Sequence, residues 1–160
     1  MKAEYKQKLE TASKNKNLTK NKLVGLKKRR KGAVDQLFHR LHDEVFEEIN
    51  CLECANCCKT TGPLLTQKDI DRIAKHLKIS GSGFIQQYLK IDEDNDYIFT
   101  SMPCPFLGTD NYCDIYDVRP KACREYPHTD RTNQIGILKL VEKNTLICPA
   151  VAEIIERIPK

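Results

Sequence analysis

The sequence predicts a mainly α fold with a small β hairpin or sheet (α+β). It describes a compact, cysteine-rich, metal-stabilised domain preceded by an N-terminal helical extension. Three observations predict this. Apolar residues recur at three- and four-residue steps in several segments, the spacing of one helix face. The β-rich runs are few and short. Eight cysteines are present, and four of them fall between residues 51 and 58. A chain of 160 residues suits one domain plus an extension.

The division follows the charge. Residues 1–32 hold twelve Lys or Arg against two Glu, a net charge of +10. Residues 33–160 hold fifteen basic and twenty acidic residues, net −5. A basic extension over 1–32 and a cysteine-cluster domain over 33–160 are therefore expected. A segment such as "NKLVGLKKRRK" can attract nucleic acid or another anionic surface. Tyr5 is the only aromatic residue in 1–32, so base stacking has little support. The plainer reading is a solvated, partly helical extension.

Residues 33–49 read as an amphipathic helix, with Val34, Leu37, Phe38, Leu41, Val45 and Ile49 on one face. His39 and His42 fall near each other on the other side and are expected to face solvent. The run "TQKD" resembles a capping box with Thr66 as cap and Asp69 in the acidic position. Ile70, Ile73, Ala74 and Leu77 then form a stripe. "SGSG" marks a break, and Ser82 is the expected cap of a short helix carrying Phe84, Ile85, Tyr88 and Leu89. "DEDND" reads as a polar turn and "DYIFTSM" as a strand. "GTDN" turns between two extended pieces, a hairpin signal. Pro120 favours a helical first turn for "PKACREY". "IGILKLVEK" is β-rich. "NTLICPAVAEIIERI" reads as a loop entering a helix with Val151, Ile154, Ile155 and Ile158 on one side.

The first ten residues lack an apolar signal-peptide core, and no apolar run of about 18 residues is present. A cytoplasmic protein without membrane association is expected. In a reducing compartment the cysteines point to metal or redox chemistry rather than a disulfide framework. The full set is Cys51, Cys54, Cys57, Cys58, Cys104, Cys113, Cys123 and Cys148. A C-x-x-C-x-x-C spacing presents three thiols at once, and a four-thiolate site must recruit another from farther along the chain. A thioredoxin-like pair fits worse, because Cys51 follows a helix rather than opening one after a strand. Cys104-Pro105 and Cys148-Pro149 lean towards a [4Fe-4S] cluster, whereas eight thiols would also fill two four-cysteine zinc sites. Magnesium and calcium do not suit sulfur ligands. Neighbouring side chains point in different directions, so Cys57 and Cys58 cannot easily serve one ion in the same way. Both are expected to be used in one cysteine nest.

The run C-x-x-C-x-x-C-C, then "LTQKDIDRIAKHL", "PCPFL" and "CDIYDVRPKACREYP", resembles the CxxCxxCC cysteine-cluster family. It is also called the YkgJ-like zinc- or iron-chelating domain, and is mainly bacterial. The resemblance covers about residues 45–150 and implies a metal-binding cytoplasmic protein of unassigned role. It carries over to Cys51, Cys54, Cys57, Cys58, Cys104, Cys113 and Cys123, with Cys148 in the position of a late Cys-Pro. Arg119 and Arg124 flank Cys123, and either could donate to sulfur or balance cluster charge. Pairing with Asp117 and Glu125 is the alternative. Tyr116 and Tyr126 are expected to pack.

Flagellin lysine methylases carry a related domain with an iron–sulfur centre, so a methyltransferase role is the enzymatic alternative. No Gly-rich loop follows a strand, and no acid–base dyad stands out, so no catalytic residue is identified. The remaining alternative is a zinc-stabilised nucleic-acid- or protein-interaction module acting through residues 1–32.

Overall fold

The computed structural model describes residues 1–159. Its helices are α1 (Ala3–Lys14), α2 (Lys16–Leu26), α3 (Lys31–Glu48), α4 (Asn56–Thr60), α5 (Gln67–Leu77), α6 (Gly81–Tyr88), α7 (Lys121–Glu125), α8 (Leu138–Asn144) and α9 (Pro149–Arg157). The strands are β1 (Leu64–Leu65), β2 (Leu89–Ile91) and β3 (Tyr97–Phe99). The fold is α+β, mostly helical with one small sheet. Among the described residues no helix is long and apolar enough to cross a membrane.

The chain divides into two compact units. Met1–Cys54 with Pro127–Lys160 forms one, and Ala55–Tyr126 forms the other. This division differs from the one the charge distribution suggests. Residues 1–32 form α1, α2 and the start of α3, and Tyr5, Leu23 and Leu26 lie in the core of the first unit.

That core is built on two amphipathic helices. From α3 come Val34, Phe38, Leu41 and Val45, continued by Ile49. From α9 come Val151, Ile154 and Ile155, continued by Ile158. Both stripes are those the periodicity predicts. Pro149 stands at the first helical position of α9, where a missing N–H costs nothing. "IGILKLVEK", expected as β, is instead a 3-10 turn at Gln134–Ile137 leading into α8. Leu138 and Val141 lie three residues apart and both join the core, so the helical period overrides β propensity. His39 and His42 are half-buried rather than solvent-facing. The His42 ring bonds Thr129 Oγ1 at 2.8 Å, and the His39 ring bonds the Arg131 carbonyl at 3.1 Å. Asp35 accepts from the backbone N–H groups of Asn133 and Gln134 at 2.9 and 2.8 Å. One face of α3 thus holds the loop that follows Pro127.

In the second unit the sheet order is β1-β3-β2, antiparallel throughout. Leu64 pairs with Ile98, and Leu89 pairs with Phe99. The predicted turn between β2 and β3 is present: Asp92 Oδ1 accepts from Asp94 N and Asp96 N, both at 3.0 Å. α5 begins with the predicted capping box, Thr66 and Asp69 bonding each other's backbone N–H. α6 starts earlier than expected. Ser80, not Ser82, caps it by accepting from Gly83 N at 3.0 Å, so "SGSG" opens the helix rather than breaking the chain. The hairpin expected around "GTDN" is reduced to a single bridge between Leu107 and Cys113.

The core here is Leu65, Ile70, Ile73, Ala74, Phe84, Leu89, Phe99, Phe106 and Ile115. Phe106 contacts three other rings: Tyr88 at 5.0 Å, Phe99 at 5.7 Å and Phe84 at 6.3 Å between centroids. Edge and offset contacts of this kind add to the area the rings bury. Phe84→Ala is expected to cost about 3–5 kcal/mol in urea unfolding, whereas Ile91→Ala, at an exposed edge position, should stay within about 0.5 kcal/mol of wild type. Equal losses at the two sites would contradict this core.

Candidate metal centre

None of the eight cysteines is joined in a disulfide. Cys51, Cys54 and Cys148 belong to the first unit; Cys57, Cys58, Cys104, Cys113 and Cys123 belong to the second.

In the first unit, Cys51–Glu53 is a 3-10 turn closed by Cys54 N donating to the Cys51 carbonyl at 3.0 Å. Asn50 caps it, its Oδ1 accepting from Leu52 N at 2.9 Å. A turn this short needs outside support, and α1 supplies it. Tyr5, almost fully buried, accepts from Asn50 N at 3.1 Å and donates to Glu53 at 3.2 Å. Lys2 pairs with the same carboxylate at 2.7 Å. The Met1 thioether lies 3.7 Å from the buried Cys54 sulfur. Cys148 precedes α9, where the N–H groups of Ala150 and Val151 face its thiol. Burial pushes that thiol up to about 12, against the pull of those two N–H groups. Charge on Cys51 or Cys54 would raise it further, which makes the three sulfurs electrostatic neighbours.

In the second unit, Ala55 adopts a left-handed conformation, φ 49°, immediately before α4. Cys57 and Cys58 on α4 have sulfurs 3.9 Å apart. This contact, outweighing burial and aided by Lys59, lowers Cys58 to about 7. Cys104 N donates to the Cys58 carbonyl at 2.8 Å. Cys104 and Cys113 each open a tight turn. Leu107 N bonds the Cys104 carbonyl at 3.1 Å, and Tyr116 N bonds the Cys113 carbonyl at 3.0 Å. In each turn the N–H two residues on, from Phe106 or Ile115, faces the cysteine's own sulfur. Burial raises Cys104 to about 11 and Cys123 to about 12, and raises Cys113 as well. Cys123 feels the charges of Cys58, Cys104 and Cys113, so these four thiols form one electrostatic neighbourhood. Among the described residues, however, no three His, Cys, Asp or Glu side chains are already gathered into a metal-holding arrangement.

The contribution that sequence reasoning missed is Asp69. The capping box was legible, but the longer reach was not. Asp69 is 1% exposed. Its Oδ2 accepts from Thr66 N and Thr66 Oγ1 at 2.9 and 2.7 Å; its Oδ1 accepts from Arg72 at 2.6 Å and from Lys121 N at 3.0 Å. Lys121 is the first residue of α7, which carries Cys123. Arg72 also donates to the carbonyls of Val118 and Arg119 at 3.3 and 2.9 Å. α5 therefore grips the segment between Cys113 and Cys123.

Arg119 stacks on Tyr116, 3.7 Å from the ring centroid, and donates to the Tyr116 carbonyl at 2.7 Å. Its charge lowers Cys113 and Cys123, in keeping with the charge-balancing alternative. Tyr116 itself is 56% exposed rather than packed. Glu125 pairs with Lys121, and Arg124 is exposed.

Two predictions follow from these environments. Burial would raise Asp69, but hydrogen bonds from Thr66, Arg72 and Lys121 outweigh it and hold the carboxyl at about 2 rather than 3.8. A depressed folded-state value stabilises above the ordinary carboxyl range and is lost as pH falls through the folded value. The difference is worth about 2 kcal/mol. Asp69→Asn should lose about that amount at neutral pH, and the gap to wild type should close between about pH 4 and pH 2. A gap independent of pH would show that the carboxylate charge is not what is being held. In reduced, chelator-treated protein, alkylation should mark Cys58 before Cys104, Cys123 and Cys148, because the thiolate is the nucleophile. Mass mapping of the alkylated residues would show a different order if the environments were otherwise.

The comparisons with known proteins come to the same stretch of chain. The family model CxxCxxCC, described as "Putative zinc- or iron-chelating domain", matches residues 50–149. Uncharacterized protein MJ0661 of Methanocaldococcus jannaschii is 34% identical over 85 residues, covering 50% of this chain and 44% of that protein. The match therefore spans less than half the length of that relative. No solved structure matches.

Proposed function

The chain belongs to the CxxCxxCC family of zinc- or iron-chelating domains, and from that premise we propose that it binds zinc or iron through the thiolates of Cys51, Cys54, Cys57, Cys58, Cys104, Cys113, Cys123 and Cys148. One observation supports the reading above the others. Cys58, Cys104, Cys113 and Cys123 come from four separate segments of the second unit and share one electrostatic neighbourhood.

The donor set fits such a metal. Thiolates select zinc and iron over magnesium and calcium. Buried thiols held near 11 or 12 stay protonated without an ion, so uptake releases protons and weakens as pH falls. Backbone N–H groups already facing Cys104, Cys113 and Cys148 would stabilise the thiolates once the protons leave. A bound ion would also join distant short segments and add its binding free energy to folding. The Cys-Pro pairs at 104–105 and 148–149 suit an iron–sulfur centre, and a four-thiol set suits a single zinc.

Protein purified without oxygen should carry zinc or iron in stoichiometric amounts. Brown colour with acid-labile sulfide identifies an iron–sulfur centre, and colourless protein with zinc identifies tetrathiolate zinc. Cys58→Ser should lose metal and lower the unfolding midpoint. Full metal content and unchanged stability in that variant would refute its role as a ligand.

A further inference from the structure

We infer that the turn between α2 and α3 is a docking surface for the phosphate backbone of a double-stranded nucleic acid, bound without regard to base sequence. The inference is independent of the metal-binding reading, because the turn lies outside the stretch that the family model matches.

The turn carries five consecutive cations: Lys27, Lys28, Arg29, Arg30 and Lys31. The fold holds them in place rather than leaving them on a loose tail. Leu26 at 1% exposure and Val34 at 0% anchor the run at its two ends, and every residue from Lys27 to Ala33 is exposed. Its backbone is bonded throughout. Lys27 N, Lys28 N and Arg29 N donate to the carbonyls of Val24, Gly25 and Leu26 at 3.2, 3.2 and 3.0 Å. Ala33 N and Val34 N donate to the Arg30 carbonyl at 3.0 and 3.1 Å. Charges on an ordered backbone lose less freedom on binding than charges on a coil.

The charge on this surface is uncompensated. Residues 16–34 hold eight Lys or Arg and no Asp or Glu. Asp35, the next carboxylate along the chain, is turned to Asn133 N and Gln134 N. Among the described residues, Lys27, Lys28, Arg30 and Lys31 make no ion pair, whereas Lys2 and Lys8 pair with Glu53 and Glu153. Arg29 donates to the Pro159 carbonyl at 3.5 Å. α3 also starts against the usual rule. It has no side-chain cap and no acidic residue in its first turn, and Arg30 and Lys31 stand at its positive end. Like charges there oppose folding, and a phosphate would meet both the cations and the helix N-terminus.

The rest of the surface selects the occupant. Residues 16–34 contain no aromatic side chain on which an unpaired base could stack, so a single strand gains little. α2 extends the surface with exposed Lys16, Asn17, Lys20 and Asn21, donors suited to phosphate and sugar oxygens. Its exposed apolar residues, Leu18 and Val24, lie about 120° apart around the helix and form no strip that could enter a lipid surface. Residues 33–160 are net −5, so an anionic duplex is steered to the basic turn rather than to the rest of the chain.

The test titrates full-length protein into labelled duplex RNA and duplex DNA of mixed sequence and reads fluorescence anisotropy at rising salt. At least one duplex should bind, with log K falling against log salt at a slope of about −4 to −5, as five phosphate contacts require. The relative affinities identify which duplex is preferred. Replacing Lys27, Lys28, Arg30 and Lys31 together by Gln should weaken binding at least about tenfold and flatten the slope by about 4. Replacing Lys68, Lys75, Lys90 and Lys139 by Gln removes the same charge at other exposed positions and should leave affinity within about twofold of wild type. Circular dichroism reports whether both variants fold. Equal losses in the two variants would assign the binding to net charge and overturn the site. Absence of binding to either duplex at low salt would overturn it too, as would tighter binding to single strands or to phosphatidylserine vesicles.

Discussion

The second unit depends on one buried carboxylate. Asp69 begins as a local device, the acidic partner in a helix cap, and ends as a tertiary clamp. Two of its four hydrogen bonds close the first turn of α5, and a third engages Arg72. The fourth reaches 52 residues along the chain to Lys121 N, at the start of the helix bearing Cys123. A carboxylate so buried stays charged only because every oxygen is satisfied by donors, and the low pKa records that satisfaction. The same bonds fix the approach to Cys123, a segment with only a five-residue helix and a 3-10 turn of its own. Such pieces are too short to be stable by themselves.

The first unit meets the same difficulty with different residues. The turn at Cys51 has three residues, and Tyr5 braces it from α1 through a hydroxyl that both accepts and donates. Tyr5 is buried as an apolar body with its polar tip on the turn, a common use of tyrosine in cores. α1 lies outside the stretch matched by the family model, so this support comes from residues the family signature does not include. The basic residues of α1 and α2 are mostly exposed, while Tyr5, Leu23 and Leu26 bind the two helices into the core.

The cysteines stand in tension with burial. Burying a thiol is cheap while it is neutral and costly once it is charged. Cys104, Cys123 and Cys148 are therefore held as thiols, and the N–H groups beside Cys104 and Cys148 only partly offset that cost. In the proposed site a thiophilic cation would supply the missing compensation. The aromatic core also reaches Cys104 through Phe106, which packs against three aromatic rings while its N–H faces that thiol.

The sequence by itself determined the elements whose signal is local. The stripes of α3, α5 and α9 bury the residues their periodicity names, because a 3.6-residue repeat needs no knowledge of the partner surface. The Thr66–Asp69 cap and the turn at Asp92 were legible for the same reason, their bonds closing within four residues. The cysteine spacing was legible as chemistry. Tertiary structure alone decided the rest. "IGILKLVEK" is helical because Leu138 and Val141 find an apolar core to fill, and β propensity yields to that burial. His39 and His42 meet a loop some 90 residues away, which no pattern within α3 could foretell. The reach of Asp69 to Lys121, and the pairing of the Cys104 and Cys113 turns, are likewise contacts between distant residues. Only the folded backbone sets such distances, so the sequence could name the thiols but not group them.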